Sequence, residues 1–425
     1  MSMEEKQSSL ISQDFNLLYP ENEKEVSDII KKFYKSNIPL EIIGSGSKRK
    51  IGKPLQCGKT LCLSKLDGII EYHPEELYIK VKAGTKIDKI ENELRKNKQQ
   101  LAFEPIDFGY LFTGKSDSGT AAGQVACNIS GPRRFKVGST RDHILGFRAV
   151  NGRGDIIKSG GTVVKNVTGY DLSKLVCNSF GTLAVLTEIT FKVLPVSEES
   201  KTLVIHNLKI DSASEYLEKA ISSSNEVSGA SFLPTDPICK SCEMNIENTF
   251  KLNDLKYTGS LTALRIEGLR QSIEERAENL KNELKIQESN LSILDTLQSE
   301  IFWSKIKNLE FFSATKNNIL RIVIPPSECV NLIYELPRKF KYFLDWGGAV
   351  IWMEACEISE QKFESIRKKV IKHNGYVSMI KYSVDLPYVE DVFTIDSVRF
   401  NISQNIKKSF DPKRILNPGK MYTGI

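Results

Sequence analysis

The sequence predicts an α+β protein with more than one domain. Three observations carry that expectation. A chain of 425 residues outgrows a single compact core. Its first half mixes short strands and helices around glycine-rich turns, and the region beyond Pro195 alternates longer amphipathic helices with isolated strands. The second texture is that of an α+β layer packed on a preceding unit.

The first helix is expected between Asn22 and Asn37, because Val26, Ile29, Ile30, Phe33 and Tyr34 recur at helical spacing after the break at Pro20. A short apolar strand, Leu40 to Ile43, runs straight into the turn Gly44–Ser47. ELYIKVKAG reads as a further strand, and TKIDKIENELRKN as a helix with Ile87, Ile90 and Leu94 on one face. That order looks like a small α/β subdomain. FRAVNGRGDIIKSG reads as a hairpin, its Asn151-Gly152 pair signalling a type I′ turn. Asp171 to Leu175 reads as a short helix, and Gly181-Thr182 opens the buried strand LAVLTEITFKV. Beyond Pro195, ASEYLEKAISSS and SIEERAENLKNELKI are helices by period, while LTALRIEG, NILRIVIPP and GGAVIWME are strands. The closing SFDPKRILNPGKMY is a loop too apolar for a frayed tail.

Composition narrows the function classes. Hydrophobic residues make up 40% and charged residues 26%, the mix of a globular protein. No apolar run approaches the ~20 residues that span a bilayer, and MSMEEKQSSLISQDF lacks the apolar centre of a secretory signal. A cytoplasmic place is expected, or a peripheral one at the inner membrane through partners. The net charge of +6 comes largely from scattered lysines, without a basic stripe interleaved with aromatics, so nucleic acid is not the expected target. Eight dispersed cysteines suit reduced thiols. Cys239 and Cys242 form one CxxC with no second pair or nearby histidine, and read as two loop thiols; a metal or redox role there is unsupported.

Glycines carry the chemistry. GYLFTGKS, Gly109 to Ser116, matches the phosphate-loop pattern letter for letter. The run before it, LAFEPIDF, is a poor buried strand, and Gly119, Gly123 and Gly131 fall where a helix is required, at about 1 kcal/mol each. The match is read as chance. Gly44, Ser45, Gly46 and Ser47, following a strand, present consecutive backbone N–H groups with little side-chain bulk, as a phosphate nest does. Arg49 stands where the dinucleotide fingerprint needs its third glycine, and alone the segment would read as a tight turn. The small residues Gly119, Thr120, Ala121, Ala122 and Gly123 form a second such element, with Arg133, Arg134, Lys136 and Arg141 nearby. Each base singly reads as solvated loop. Together the two elements fit a pyrophosphate clamped between subdomains.

At this point a resemblance is specific. RDHILGFRAVNGRGDIIKSGG, VVKNVTGYDLSKLVCNSFGTLAVLTEITFKV and FDPKRILNPGKM resemble the FAD-binding module of the p-cresol methylhydroxylase and vanillyl-alcohol oxidase superfamily, the PCMH type. LTALRIEG, FWSKIKNLEFF and DWGGAVIW are similar to the glycolate oxidase FAD-binding subunit family. The resemblance implies two α/β subdomains holding FAD over residues 15–195, an α+β cap or substrate domain over 196–405, and a segment 406–425 returning to the first. It implies FAD contacts in four places. Gly44, Ser45, Gly46 and Ser47 match the first loop, and Gly119, Thr120, Gly123, Asn128, Gly131, Arg141 and Asp142 the region beside pyrophosphate and flavin ring. Gly181, Thr182, Val185 and Thr187 match a strand that reads the adenine or ribose end, and Asn417, Pro418 and Gly419 the C-terminal loop.

Two departures bear on the chemistry. Relatives with covalently bound flavin carry histidine in the first loop, where this chain has Ser47, so non-covalent FAD is implied. Metal-dependent 2-hydroxy-acid dehydrogenases of the superfamily carry an H-x-H pair; His73, His143, His206 and His373 make none, and no metal is expected. Of these His143, beside Asp142, is the least ordinary. No base is recognisable, and Arg134 or Arg141 could hold a carboxylate. The leading expectation is an FAD-binding subunit of a glycolate oxidase complex, working on a small 2-hydroxy acid beside a second flavoprotein and an iron–sulfur subunit. A stand-alone FAD-linked 2-hydroxy-acid dehydrogenase and a non-catalytic FAD scaffold are the alternatives.

Overall fold

A computed structural model describes residues 16–425, apart from 56, 164–168, 235–245, 253–254, 256–258, 338–339, 357 and 384–391. Cys239 and Cys242 lie outside the described residues. The helix Glu23–Ser36 begins at Asn22, whose side chain accepts from the Glu25 N–H, and stops at Asn37 in the left-handed conformation, φ +54°. Its Val26, Ile30 and Phe33 are buried, as their spacing requires.

Strands Leu17–Leu18, Lys59–Cys62 and Leu40–Ile43 form a parallel three-stranded sheet in that order. A separate antiparallel sheet runs Ile69–His73, Tyr78–Lys82, Ala184–Lys192, Ile144–Asn151 and Ile156–Gly160. The strands Leu40–Ile43 and Tyr78–Lys82 therefore lie in two different sheets, not in the single one that their succession suggests, although both pack into one hydrophobic core. Pairing explains it: Tyr78–Lys82 aligns with Ala184–Lys192, a long and largely buried strand that needs a neighbour on each side.

The hairpin around Asn151 forms, but its turn is not type I′. Asn151 and Asp155 pair, the Gly154 N–H reaches the Asn151 carbonyl, and only Gly154 takes positive φ, +88°. This is a three-residue connection closed by a left-handed glycine. The Asn151 side chain selects it by accepting from the N–H groups of Arg153 and Asp155.

The second half builds an eight-stranded antiparallel sheet, ordered Leu291–Leu294, Glu199–His206, Leu261–Gly268, Val227–Leu233, Phe340–Asp345, Val350–Ala355, Asn318–Val323 and Tyr376–Lys381. Alternation gives it two unlike faces. Leu203, Ile205, Leu264, Ile266, Leu320 and Ile322 are buried on one, against the helices Ile210–Ser222, Arg270–Glu283 and Glu360–Lys372. The other carries Arg265, Glu267, Arg321, Asp345 and Trp352 and turns toward the first half, where Arg265 meets Glu104 and Trp346 meets Gly131.

After the helix Ser397–Phe410 the chain comes home. Lys407, fully buried, donates to the Thr182 and Leu416 carbonyls and to Asp411. Leu416 pairs with Leu40 in parallel, adding a bridge at the edge of the three-stranded sheet. Ile415 and Leu416 are buried in the first half's core, so this loop is structural.

Candidate functional site

The end of the strand Leu40–Ile43 opens a cleft of about 510 Å³, counting its open mouth, lined by residues 41–49, Thr120, Gly123, Phe180, Asn417 and Lys420. Both glycine-rich elements meet here, though they are separated by about seventy residues. A methyl group at Gly44 would stand 2.1 Å from Thr120 Oγ1, and one at Gly119 would stand 2.6 Å from Ser47 Oγ. Gly46, at φ +88°, leaves open space in front of it, the conformation and clearance a bare-backbone loop needs.

The loop's polar groups are left open. Among the described residues no acceptor takes the N–H groups of Ser45, Gly46, Ser47 or Lys48. The Ser45 hydroxyl is buried and has no hydrogen-bond partner among the described residues. Buried polar groups are ordinarily paired. A run of free donors beside an orphaned hydroxyl fits an anionic ligand lying along the loop.

Two cations face the same space. Lys48 is buried, lies 5.9 Å from the centre of the Phe108 ring, and among the described residues its ammonium donates no hydrogen bond; burial pushes its pKa below the usual lysine value, partly opposed by Cys127, Asp107 and Asp117. Lys420 donates to the Arg49 and Lys53 carbonyls, and burial lowers its pKa to about 8 against the pull of Glu41. Neither lysine was singled out from the sequence. Lys48 directly follows the glycine–serine turn, which was the available signal; Lys420 follows Asn417-Pro418-Gly419.

Asn417 works on the cleft's wall. Its side chain accepts from the Ile42 N–H at 2.6 Å and donates to the Phe180 carbonyl at 2.7 Å, tying the C-terminal loop to the strand and to the Gly181 turn. A methyl at Gly181 would touch it, at 2.9 Å. Thr182 is buried beside that turn, its hydroxyl bonded to the Ser179 carbonyl.

Other sequence-predicted residues lie outside this cleft. Asn128 caps the helix Ala121–Cys127 and accepts from the Arg141 N–H. Asp142 closes a capping box with Ser139; burial raises its carboxyl, and the Ser139 bonds hold it below its ordinary value. Gly131 packs against Glu104, and Val185 is buried within its strand. The Thr187 hydroxyl donates to Glu23, which also pairs with Arg148. Two of the four bases near the second element, Arg133 and Lys136, are neutralised. Arg133 is held by Glu104 and by Glu267 of the eight-stranded sheet, and Lys136 by Glu226, just before the strand Val227–Leu233. His143 is buried against Phe103 and bonded to the Val137 carbonyl, with its pKa lowered by burial, so it is a neutral core group. His73 shares a 4.8 Å neighbourhood with Glu75 and Glu76, both exposed. The segment Gly109–Thr113 of the phosphate-loop look-alike is a short helix packed on Glu310–Phe312, away from the cleft.

Comparison with known proteins agrees with this geometry. Residues 16–160 match the family described as an FAD binding domain. The structure of p-cresol methylhydroxylase with substrate bound superposes with a TM-score of 0.70 at 13% identity, covering 96% of this chain and 88% of that one. Alkyldihydroxyacetonephosphate synthase superposes at 0.64, with 14% identity and coverage of 95% and 75%. Two sheets around a bare-backbone cleft, overlaid by a large antiparallel sheet, thus define an FAD-binding oxidoreductase fold of the p-cresol methylhydroxylase type. Glycolate oxidase subunit GlcE of Escherichia coli (strain K12) is 31% identical over 91% of this chain and 93% of its own length. The chain belongs to the family of that GlcE subunit, among FAD-linked oxidoreductases. Glycolate oxidase subunit GlcD of Bacillus subtilis (strain 168) is 26% identical, covering 96% and 88%. No helix among the described residues is long and apolar enough to cross a membrane.

Proposed function

We propose that this chain is the FAD-holding subunit of a complex that oxidises glycolate, or a closely related 2-hydroxy acid, to the 2-oxo acid. The observation that carries this reading is the end-to-end likeness to GlcE, 91% of one chain and 93% of the other. FAD, when bound, supplies a two-electron acceptor. The free N–H groups of residues 45–48 and the Ser45 hydroxyl would hold its diphosphate, with Lys48 and Lys420 balancing the charge. Thr120, Gly123 and Asn417 shape the opposite wall, while Asn128, Gly131, Arg141, Asp142, Gly181, Thr182, Val185 and Thr187 would frame the flavin and adenosine ends. Ser47 offers no ring nitrogen for a covalent link, so the cofactor is held non-covalently.

In this reading residues 15–195 with 406–425 form the FAD domain and 196–405 the domain covering it. A second flavoprotein subunit and an iron–sulfur subunit complete the complex, in the cytoplasm or at the inner face of the membrane. Reconstitution tests it: the purified chain should take up FAD yet reduce no dye with glycolate until its partner subunits are added. Full turnover by the chain alone would instead support a stand-alone dehydrogenase. That second reading draws on the D-lactate dehydrogenase of Archaeoglobus fulgidus, 23% identical over 96% of this chain and 92% of its own.

A further inference from the structure

The polar face of the eight-stranded sheet meets two kinds of arginine. Arg265 stands 2.9 Å from Glu104 and 3.3 Å from Glu267, and Arg133 stands 3.1 Å and 2.6 Å from the same two acids. These cations are neutralised in place. Arg321 and Arg134 are not: neither has a carboxylate at ion-pair distance among the described residues, and the Arg321 Nε is buried with no hydrogen-bond partner. Both guanidinium groups lie against one aromatic ring. Arg134 is 4.6 Å and Arg321 5.0 Å from the centre of the Trp346 indole, and Arg321 is 5.6 Å from that of Trp352.

The ring itself is fixed. Trp346 donates its indole N–H to the Gly131 carbonyl at 3.0 Å and its backbone N–H to Asp345 at 2.8 Å. Asp345 is the acid that acts on Arg321, but its hydrogen bonds go to Trp346 and Ser231, and burial raises its carboxyl to about 7. Burial and the repulsion of Arg134 lower Arg321 to about 10, which leaves it charged at neutral pH. Cation–π contact offsets only part of the cost of holding a charge out of water. Arg134 is exposed and has water available, but Arg321, its Nε buried, is left without the carboxylate that Arg133 and Arg265 receive, and an anion from outside would complete it.

We propose that Arg321 and Arg134, sharing the Trp346 ring, form a binding site for a small carboxylate that enters between the two halves of the chain. The planar guanidinium fork pairs with a carboxylate through two parallel hydrogen bonds. That this carboxylate is the oxidised substrate's rests on the function proposed above; the anion site does not.

The test is calorimetric titration of the full chain with oxalate and with inorganic phosphate, with and without FAD. Oxalate is expected to bind, R321M to weaken it about tenfold or more, and R134M by a smaller factor. R321K, which keeps the charge without the fork, should fall between wild type and R321M. Because Arg321 is an uncompensated charge, R321M should unfold at the same or a higher urea concentration than wild type, an outcome a purely structural arginine would reverse. Equal oxalate affinity in wild type and either Arg321 variant overturns the site. Phosphate binding as tightly as oxalate overturns the carboxylate assignment. A chain that takes up no FAD would sink the function proposed above and leave the oxalate result on the cofactor-free chain standing.

Discussion

Glu104 and Arg265 meet at 2.9 Å, both side chains almost wholly buried, though they stand 161 positions apart in sequence. Glu104 holds its backbone at φ +52°, a costly conformation for a side chain of its kind, and also accepts from the Arg133 N–H. With Arg133 and Glu267 the pair makes a four-membered ionic cluster joining the first half to the eight-stranded sheet. Burial raises the Glu104 carboxyl, but the two arginines more than reverse it and hold it below the usual range. Replacing Glu104 by Gln leaves two guanidinium groups short of charge, so we expect a loss of about 3–5 kcal/mol in urea unfolding. The sign with pH follows from the lowered pKa. The cluster's contribution is complete above the unfolded value of about 4.3 and fades as pH falls through the lower folded value. E104Q should therefore flatten the acid limb of the stability profile; an unchanged limb would rule the cluster out as its source.

Lys48 is the strongest single candidate for FAD affinity. It is buried and lines the loop, and among the described residues no acceptor takes its ammonium or the N–H groups of residues 45–48. A charge-assisted hydrogen bond contributes about 1.5–3 kcal/mol, so K48M should weaken FAD binding about ten- to a hundredfold in a flavin-fluorescence titration. Riboflavin, which lacks the diphosphate, should bind wild type and K48M alike. A matching loss for riboflavin would place the lysine at the ring instead.

Lys420 should make that affinity depend on pH. Glu41, Arg49, Cys57 and Cys127 surround it, and its pKa stands at about 8 before any anion arrives. An anion in the cleft raises it. The attraction is then full below about pH 8 and declines as pH rises beyond it. Titrations between pH 7 and 9.5 should show this decline in wild type and lose it in K420M. A slope that survives in K420M assigns the titration to another group.

Much of the fold was legible because it is local. The strand Leu40–Ile43, the turn after it, and the helix face of Ile87, Ile90 and Leu94 follow from period and punctuation alone. What sequence could not reveal was partnership over distance. Arg133 reads as free positive charge because Glu267 lies far along the chain, on the strand Leu261–Gly268, whose polar face turns toward the first half. Lys48 and Lys420 went unremarked since a lysine's letter carries no sign of burial. The Asn151-Gly152 turn misled for a related reason: the asparagine's hydrogen bonds to Arg153 and Asp155 favour the longer connection.

The C-terminal loop owes its place to Lys407. That ammonium reaches the Thr182 carbonyl at 2.6 Å, the Leu416 carbonyl at 2.8 Å and Asp411 at 2.8 Å, with no solvent contact. Asp411 in turn accepts from the Ile415 and Leu416 N–H groups, which aligns Leu416 with Leu40 and sets Asn417 against the cleft. K407M strands a buried carboxylate, and removing one partner of such a pair costs about 3–5 kcal/mol. Lys407 and Asp411 order the start of the loop, so we expect that part to loosen before the sheets do. Brief trypsin digestion of K407M should cut at Lys413 or Arg414 while the rest of the chain stays whole, and FAD affinity should drop with the loss of Asn417 from the wall. K407M/D411N, which removes the stranded charge, should recover part of the stability. Cleavage and affinity matching wild type in K407M would mean that the buried Ile415 and Leu416 side chains hold the loop without the lysine.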